Sequence, residues 1–205
     1  IDVCDGYIVA TTENGLKGCD FTYDTVTVGG TENLLMAAVL AEGTTVLRNA
    51  AREPEITDLV AFLRGMGADI EGDDTSTLVI NGVSKLGASN YSVMPDRIEA
   101  GTFLVAAAAT RGCITVENAN AEHLGIVLEK LRDAGVDLVV ESDSITADMT
   151  EGQLKSVDLI TAPYPGFPTD MQAQFMALNS IACGKSTIEE TIFENRFMHV
   201  PEFAR

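Results

Sequence analysis

The chain repeats itself at a spacing of about seventy residues, and a fixed spacing of that size means one supersecondary unit used several times over. Met36-Ala37-Ala38, Ala41-Glu42-Gly43 and Asn49-Ala50 recur as Val105-Ala106-Ala107, Thr110-Arg111-Gly112 and Asn118-Ala119, an offset of 69. The stretch Leu63-Arg64-Gly65-Met66-Gly67-Ala68-Asp69 recurs as Leu131-Arg132-Asp133-Ala134-Gly135-Val136-Asp137, an offset of 68. A third copy begins near Val157 and places Met176-Ala177-Leu178 and Ala182-Cys183-Gly184 in the same slot.

Each copy has the same grammar. An apolar, Ala-rich helix is predicted over 32–42, 98–110 and 171–182, closed in each case by a glycine (Gly43, Gly112, Gly184) suited to the left-handed residue that ends a helix. A short strand follows over 44–47, 113–117 or 186–191. A second helix is marked by Ile56, Leu59, Val60 and Leu63, and again by Leu124, Val127, Leu128 and Leu131, at i, i+3, i+4, i+7 spacing. Two more strands close the unit, 69–71 with 77–80 and 137–140 with 144–147, and residues 1–10 also read as strand. The expected class is α/β, built from repeated β-α-β-α-β-β units. The first helix of each unit is apolar nearly all round and should lie inside, with sheets around it, as in an inside-out α/β barrel domain. A change of domain is expected near 87–95, where Gly87-Ala88-Ser89-Asn90 loosens the chain and Met94-Pro95 interrupts it, giving 1–93 and 94–205.

Charge narrows the partners. Thirteen basic against 31 acidic residues give a net charge of −18, so neither nucleic acid nor an anionic membrane surface is expected to bind. An acidic chain still holds a small anion when a few cations are placed locally. No window approaches about 20 apolar residues and no basic-then-apolar leader is present, which predicts a cytoplasmic protein. Cys4, Cys19, Cys113 and Cys183 have no metal-like spacing; Cys113 and Cys183 are expected as small buried hydrophobes and all four as reduced thiols. With two histidines and no clustered ligands, no metal or other cofactor is expected. The first residue is Ile, and the chain stops inside an expected helix, so it reads as an internal fragment of a longer protein.

Three stretches could carry chemistry. In Thr25-Val26-Thr27-Val28-Gly29-Gly30-Thr31 a β-branched strand runs through a glycine pair into a helix, a place for a phosphate or simply a tight turn capped by Thr31. In Pro168-Thr169-Asp170-Met171-Gln172, behind the proline-dense and hydrogen-bond-poor loop 163–168, Asp170 stands in the first turn of a helix. There it is a general base for a substrate hydroxyl or a charge cap at the positive end of the helix dipole. In Phe193-Glu194-Asn195-Arg196, Arg196 is suited to an anionic ligand, or pairs with Glu194 or Asp170. His199, between Met198 and Val200, reads as a packed side chain, and Asp96-Arg97-Ile98-Glu99 as charges pairing among themselves.

Taken together, Glu53-Pro54-Glu55-Ile56, Pro95-Asp96-Arg97-Ile98-Glu99-Ala100-Gly101-Thr102, Phe167-Pro168-Thr169-Asp170-Met171-Gln172-Ala173-Gln174-Phe175 and Phe193-Glu194-Asn195-Arg196-Phe197-Met198-His199-Val200-Pro201-Glu202 resemble the UDP-N-acetylglucosamine 1-carboxyvinyltransferase family of enolpyruvyl transferases. The resemblance implies two inside-out domains with the site in the cleft between them. It also implies the first committed step of peptidoglycan synthesis, with UDP-N-acetylglucosamine and phosphoenolpyruvate as small-molecule substrates. By the same resemblance Asp170 is the catalytic aspartate and Arg196 faces phosphoenolpyruvate. Thr25, Val26, Thr27, Val28 and Gly29 grip the diphosphate, the Ile192 backbone meets the sugar nucleotide, and Glu53, Asp96, Arg97 and Glu194 support the cleft. Thr25 stands where some members carry Lys. The family's Lys-Asn pair, proton-donor cysteine and arginine cluster belong to N-terminal segments of the same protein, and a late aspartate and arginine to a C-terminal one. These 205 residues alone are therefore not expected to turn over, which leaves a non-catalytic binding or structural piece of the same fold as the alternative.

Overall fold

The computed structural model describes residues 1–203 and 205. The chain divides into two compact units, Ile1–Val93 and Met94–Arg205, each with its own apolar core.

The first unit opens with a hairpin, β1 (Asp2–Cys4) against β2 (Tyr7–Val9), turned by Asp5 and Gly6 at positive φ. The expected single strand over 1–10 is thus two. Then come β3 (Asp20–Thr22), α1 (Val28–Ala38), β4 (Thr44–Arg48), α2 (Pro54–Gly65), β5 (Asp69–Glu71) and β6 (Thr77–Asn81). The sheet order is β3-β4-β6-β5, with β3 parallel to β4 and the other neighbours antiparallel. Leu35 of α1, Ile56, Val60 and Leu63 of α2, and Leu47, Leu78 and Ile80 of the sheet are buried together.

The second unit repeats this. It holds α3 (Arg97–Ala109), β7 (Cys113–Glu117), a 3-10 turn Ala121–Leu124 leading into α4 (Gly125–Asp133), β8 (Asp137–Val140) and β9 (Ser144–Asp148). The antiparallel order β7-β9-β8 copies β4-β6-β5. Leu104, Leu124, Leu128, Leu131, Ile145 and Ala147 fill the core at the positions of Leu35, Ile56, Val60, Leu63, Leu78 and Ile80. The third copy supplies β10 (Leu159–Ile160), a 3-10 turn Thr169–Met171 continuous with α5 (Gln172–Ile181), and β11 (Ile188–Glu189), before a last short helix, α6 (Val200–Phe203). β10 pairs parallel with β11 as β3 does with β4, and only two residues of the expected strand 186–191 are paired.

Helices α3 and α5, the first helices of consecutive copies, pack face to face: Gln174 donates to the Thr102 hydroxyl at 3.0 Å, and an added Cβ at Gly101 would lie 3.1 Å from Met171 Cε. This is the inner-helix arrangement the pattern predicts, and α3 buries Ala100, Gly101, Leu104, Val105, Ala107 and Ala108. The first unit holds one such helix. There α1 buries only Thr31, Leu35 and Ala38 and leaves Leu34 and Met36 exposed, and Leu34 lines an apolar groove with Leu16, Phe21 and Ala37.

Several local expectations are corrected. Cys113 and Cys183 are exposed, as are Cys4 and Cys19. Strand alternation turns Ile114 and Val116 toward the core and therefore Cys113 outward, while Cys183 lies in the turn after α5. The loop 163–168 is not hydrogen-bond-poor: Ala162 N–H donates to Phe167 O at 2.9 Å and Gly166 N–H to Pro163 O at 2.8 Å, closing it at its base around a cis Tyr164–Pro165 peptide. Asn49 and Asn118 take φ of 56° and 54° at matching positions, a left-handed turn that asparagine tolerates.

Gly43 and Gly184 are left-handed, with φ of 91° and 113°, but they do not close their helices as expected, since α1 ends at Ala38 and α5 at Ile181; in the second copy that conformation falls on Arg111, φ 54°, and not on Gly112. The two glycines therefore differ in what they contribute. Gly43→Ala forces a Cβ into left-handed backbone and should cost about 1–2 kcal/mol. Gly112→Ala meets its nearest atom only at 3.5 Å and should change stability by less than about 0.5 kcal/mol. Urea midpoints of the two variants check this.

Candidate functional site

Residues 25–27 do not continue a strand: β3 ends at Thr22 and α1 already begins at Val28, with both glycines inside its first turn. The cap is Thr27, not Thr31. Thr27 Oγ1 accepts the Gly30 N–H at 3.3 Å, and the lack of a Cβ at Gly30 allows this approach, since an added Cβ would stand 2.5 Å from Thr27 Cγ2. Thr31 is fully buried and serves as a strut, donating to Thr27 O at 2.7 Å and accepting from Ala51 N–H at 3.0 Å. Buried Tyr23 donates to Gly30 O at 3.0 Å, and burial pushes its hydroxyl up, which keeps it a donor. No acidic residue lies in the first turn of α1, so its positive dipole end is uncompensated there. Glu53 is also in this unit, 8% exposed, and accepts the Arg52 N–H at 3.0 Å.

In the second unit the structure brings together the two residues singled out for chemistry. Arg196 Nη2 donates to Asp170 Oδ1 at 2.6 Å across 26 residues of chain, so of the readings open for Arg196 the pairing with Asp170 is realised. Both side chains are partly exposed, at 35% and 57%, and the guanidinium also lies 5.1 Å from the centre of the Phe193 ring. A pair this accessible contributes at most about 1 kcal/mol, too little to hold two loops in place by itself. The segment 192–196 lines an open concavity in which Arg196 is the cation.

Both loops also hydrogen-bond to Glu190. Its Oε1 accepts from the Thr161 hydroxyl at 2.9 Å and from the backbone N–H groups of Ile192 at 2.9 Å and Phe193 at 3.1 Å. Its Oε2 accepts from the Thr169 hydroxyl at 2.8 Å and from Gln172 Nε2 at 3.5 Å. Thr161 is fully buried; it also accepts the Thr191 N–H through its hydroxyl at 2.8 Å and receives the Thr191 hydroxyl on its carbonyl. Burial is the largest single influence on Glu190 and pushes its carboxyl up. The hydrogen bonds from Ile192, Thr169, Phe193 and Thr161 together outweigh it and hold the group below the usual range.

The supporting residues have plainer places. Asp96 does not pair with its neighbours; it caps α3, accepting from Ile98 N–H at 2.8 Å and Glu99 N–H at 3.0 Å. Arg97 lies 5.7 Å over the Tyr164 ring. Glu194 is exposed in the same loop as Arg196. His199 packs edge-on against Phe203 at 5.6 Å. Among the described residues no group of three or more His, Cys, Asp or Glu could hold a metal ion, and no helix is long and apolar enough to cross a membrane. Sequence reasoning passed over Glu190, Thr161 and Thr169. Glu189-Glu190 looks like any exposed acidic pair, and only the register that sets Ile160 beside Glu189 brings Thr161 and Glu190 together.

All of residues 1–205 match the family described as EPSP synthase (3-phosphoshikimate 1-carboxyvinyltransferase). The chain is 58% identical over 205 residues to a UDP-N-acetylglucosamine 1-carboxyvinyltransferase of Hydrogenovibrio crunogenus and 59% to one of Cellvibrio japonicus, covering 100% of itself and 49% of each. It thus spans about half the length of these curated relatives. Among solved structures it superposes on the enolpyruvyl transferase NikO from Streptomyces tendae with a TM-score of 0.82 at 26% identity, over 93% of this chain and 48% of that one. An EPSP synthase from Acinetobacter baumannii, with a TM-score of 0.58 and 23% identity over 92% of this chain and 44% of that one, shares the fold.

The depressed Glu190 carboxyl links the loops to acid stability. A group whose folded pKa lies below its unfolded value stabilises fully above the unfolded value, about 4.3 for Glu, and that contribution is lost as pH falls through the folded one. Glu190→Gln removes the titration, so the wild type should lose more stability than the variant between about pH 6 and pH 3, with the difference confined to the acid end. Denaturant midpoints across that range test it; parallel curves would contradict it.

Proposed function

The chain belongs to the EPSP synthase family of carboxyvinyltransferases, and from that membership we propose that the complete protein carrying it transfers the enolpyruvyl group of phosphoenolpyruvate to the 3′-hydroxyl of UDP-N-acetylglucosamine, releasing phosphate. The observation that carries the choice of acceptor is 54–59% identity along the whole chain to relatives of that name, against 23% to an EPSP synthase that shares only the fold.

The site geometry supports the chemistry. The hydroxyl oxygen attacks C2 of phosphoenolpyruvate while C3 gains a proton; the tetrahedral intermediate then loses phosphate from C2 together with a proton from C3, which restores the C2–C3 double bond. Asp170 accepts the hydroxyl proton, and Arg196 attracts the anionic donor. The 2.6 Å contact couples the two roles, because an anion that competes for Arg196 releases the Asp170 carboxylate as an acceptor. Ile192 contributes backbone near the sugar. Thr25 to Gly29, at the uncompensated start of α1, receive the diphosphate, with Glu53, Asp96, Arg97 and Glu194 as supporting residues. In this reading 1–93 is the rear part of one enolpyruvyl transferase domain and 94–205 the front part of a second. The step belongs to peptidoglycan synthesis in the cytoplasm, and through it to cell shape and division. The remaining cationic and proton-donating groups lie in N-terminal and C-terminal segments of the same polypeptide, so residues 1–205 alone do not turn over.

Phosphate release tests both halves of the proposal. A protein of the relatives' full length should release phosphate from phosphoenolpyruvate with UDP-N-acetylglucosamine but not with shikimate 3-phosphate, and the 205-residue chain should release none. In the full-length protein, Asp170→Asn should keep sugar-nucleotide binding while lowering kcat by roughly 10²–10⁴-fold. Unchanged turnover would remove Asp170 from the mechanism, and full activity of the short chain would overturn the assignment of essential groups to other segments.

A further inference from the structure

The proposed reaction places Asp170 and Arg196 against substrate and leaves Glu190 without a role, although groups from several parts of the fold converge on its carboxylate. Thr161 follows β10, Thr169 sits in the turn beside Asp170, Gln172 opens α5, and Ile192 and Phe193 lead to Arg196. The geometry points to Glu190 as the positioning residue of this site: its carboxylate ties the turn that carries Asp170 to the loop that carries Arg196 and sets their separation without touching substrate.

The two oxygens divide the work. Oε1 holds the loop to Arg196 through two backbone N–H groups, while Oε2 holds the turn through the hydroxyl of Thr169, the residue before Asp170. Hydrogen bonds to a carboxylate are about twice as strong as neutral ones, whereas the exposed Asp170–Arg196 pair is weak. The order of cause is therefore hub first and ion pair second. Charge matters as well as shape. In Glu190→Gln one oxygen becomes an NH₂ group, and if it takes the Oε2 place it sets donor against donor at Gln172 and forces the Thr169 hydroxyl to turn. In Glu190→Asp the shorter side chain keeps the charge and reaches one set of partners better than the other.

The catalytic readout of this inference rests on the proposed function, so two measurements are made on the full-length protein. Amide exchange followed by NMR should quicken about tenfold at Ile192 and Phe193 in Glu190→Ala, with the amide of Leu104 in the core unchanged. In Glu190→Gln kcat for phosphate release should fall roughly tenfold to a hundredfold, with KM for UDP-N-acetylglucosamine shifted by less than about threefold, and Glu190→Asp should recover part of kcat. A merely structural role would lower kcat only in proportion to the unfolded fraction at the assay temperature, with no rescue by Asp. That result, or unchanged exchange at Ile192 and Phe193, overturns the inference. If the wild-type protein releases no phosphate, the functional reading falls, while exchange at the two amides still decides for or against Glu190 as the anchor.

Discussion

A short sheet has one face to hide, and in this chain two helices per unit hide it with side chains at nearly constant offsets. Leu35 with Ile56, Val60 and Leu63 in one unit, and Leu104 with Leu124, Leu128 and Leu131 in the other, close over strands of at most five residues. Strands so short have few ladder bonds to spare, so burial of this apolar layer sets sheet order and helix placement. The same left-handed Asn at 49 and 118, and the same parallel pairing of β3 with β4 and β10 with β11, follow once that layer is satisfied.

Upon this scaffold the acidic balance of the chain acquires a local meaning. With a net charge of −18, the chain as a whole repels anions, and attraction must come from single cations whose surroundings are controlled. In the proposed function Arg196 is such a group: a carboxylate at 2.6 Å and an aromatic ring on its face confine it, and the neighbouring loop is held by Glu190. One acidic side chain organises the loop, a second faces the guanidinium, and the cation is left accessible.

The repeat and the buried faces of the helices were legible because they arise from periodicity, and periodicity is written in consecutive residues. The stretches holding Asp170 and Arg196 were legible because both follow breaks in that pattern. Details that depend on a single residue's register were misjudged. The left-handed residue falls on Arg111 and not on Gly112, Cys113 faces outward because Ile114 and Val116 face in, and Thr27 caps a helix that starts four residues earlier than expected.

By itself, then, the sequence determined the unit, its apolar faces and the residue types available for chemistry, since each follows from spacing along the chain. Only the tertiary structure decided which polar groups meet. The parallel register of Ile160 with Glu189 carries Thr161 to Glu190, and the turn before α5 carries Thr169 to the same carboxylate. Through those contacts Asp170 and Arg196, 26 residues apart, come within 2.6 Å. Hydrogen bonds between distant segments depend on distances of a few tenths of an ångström, and those are fixed by packing, not by pattern.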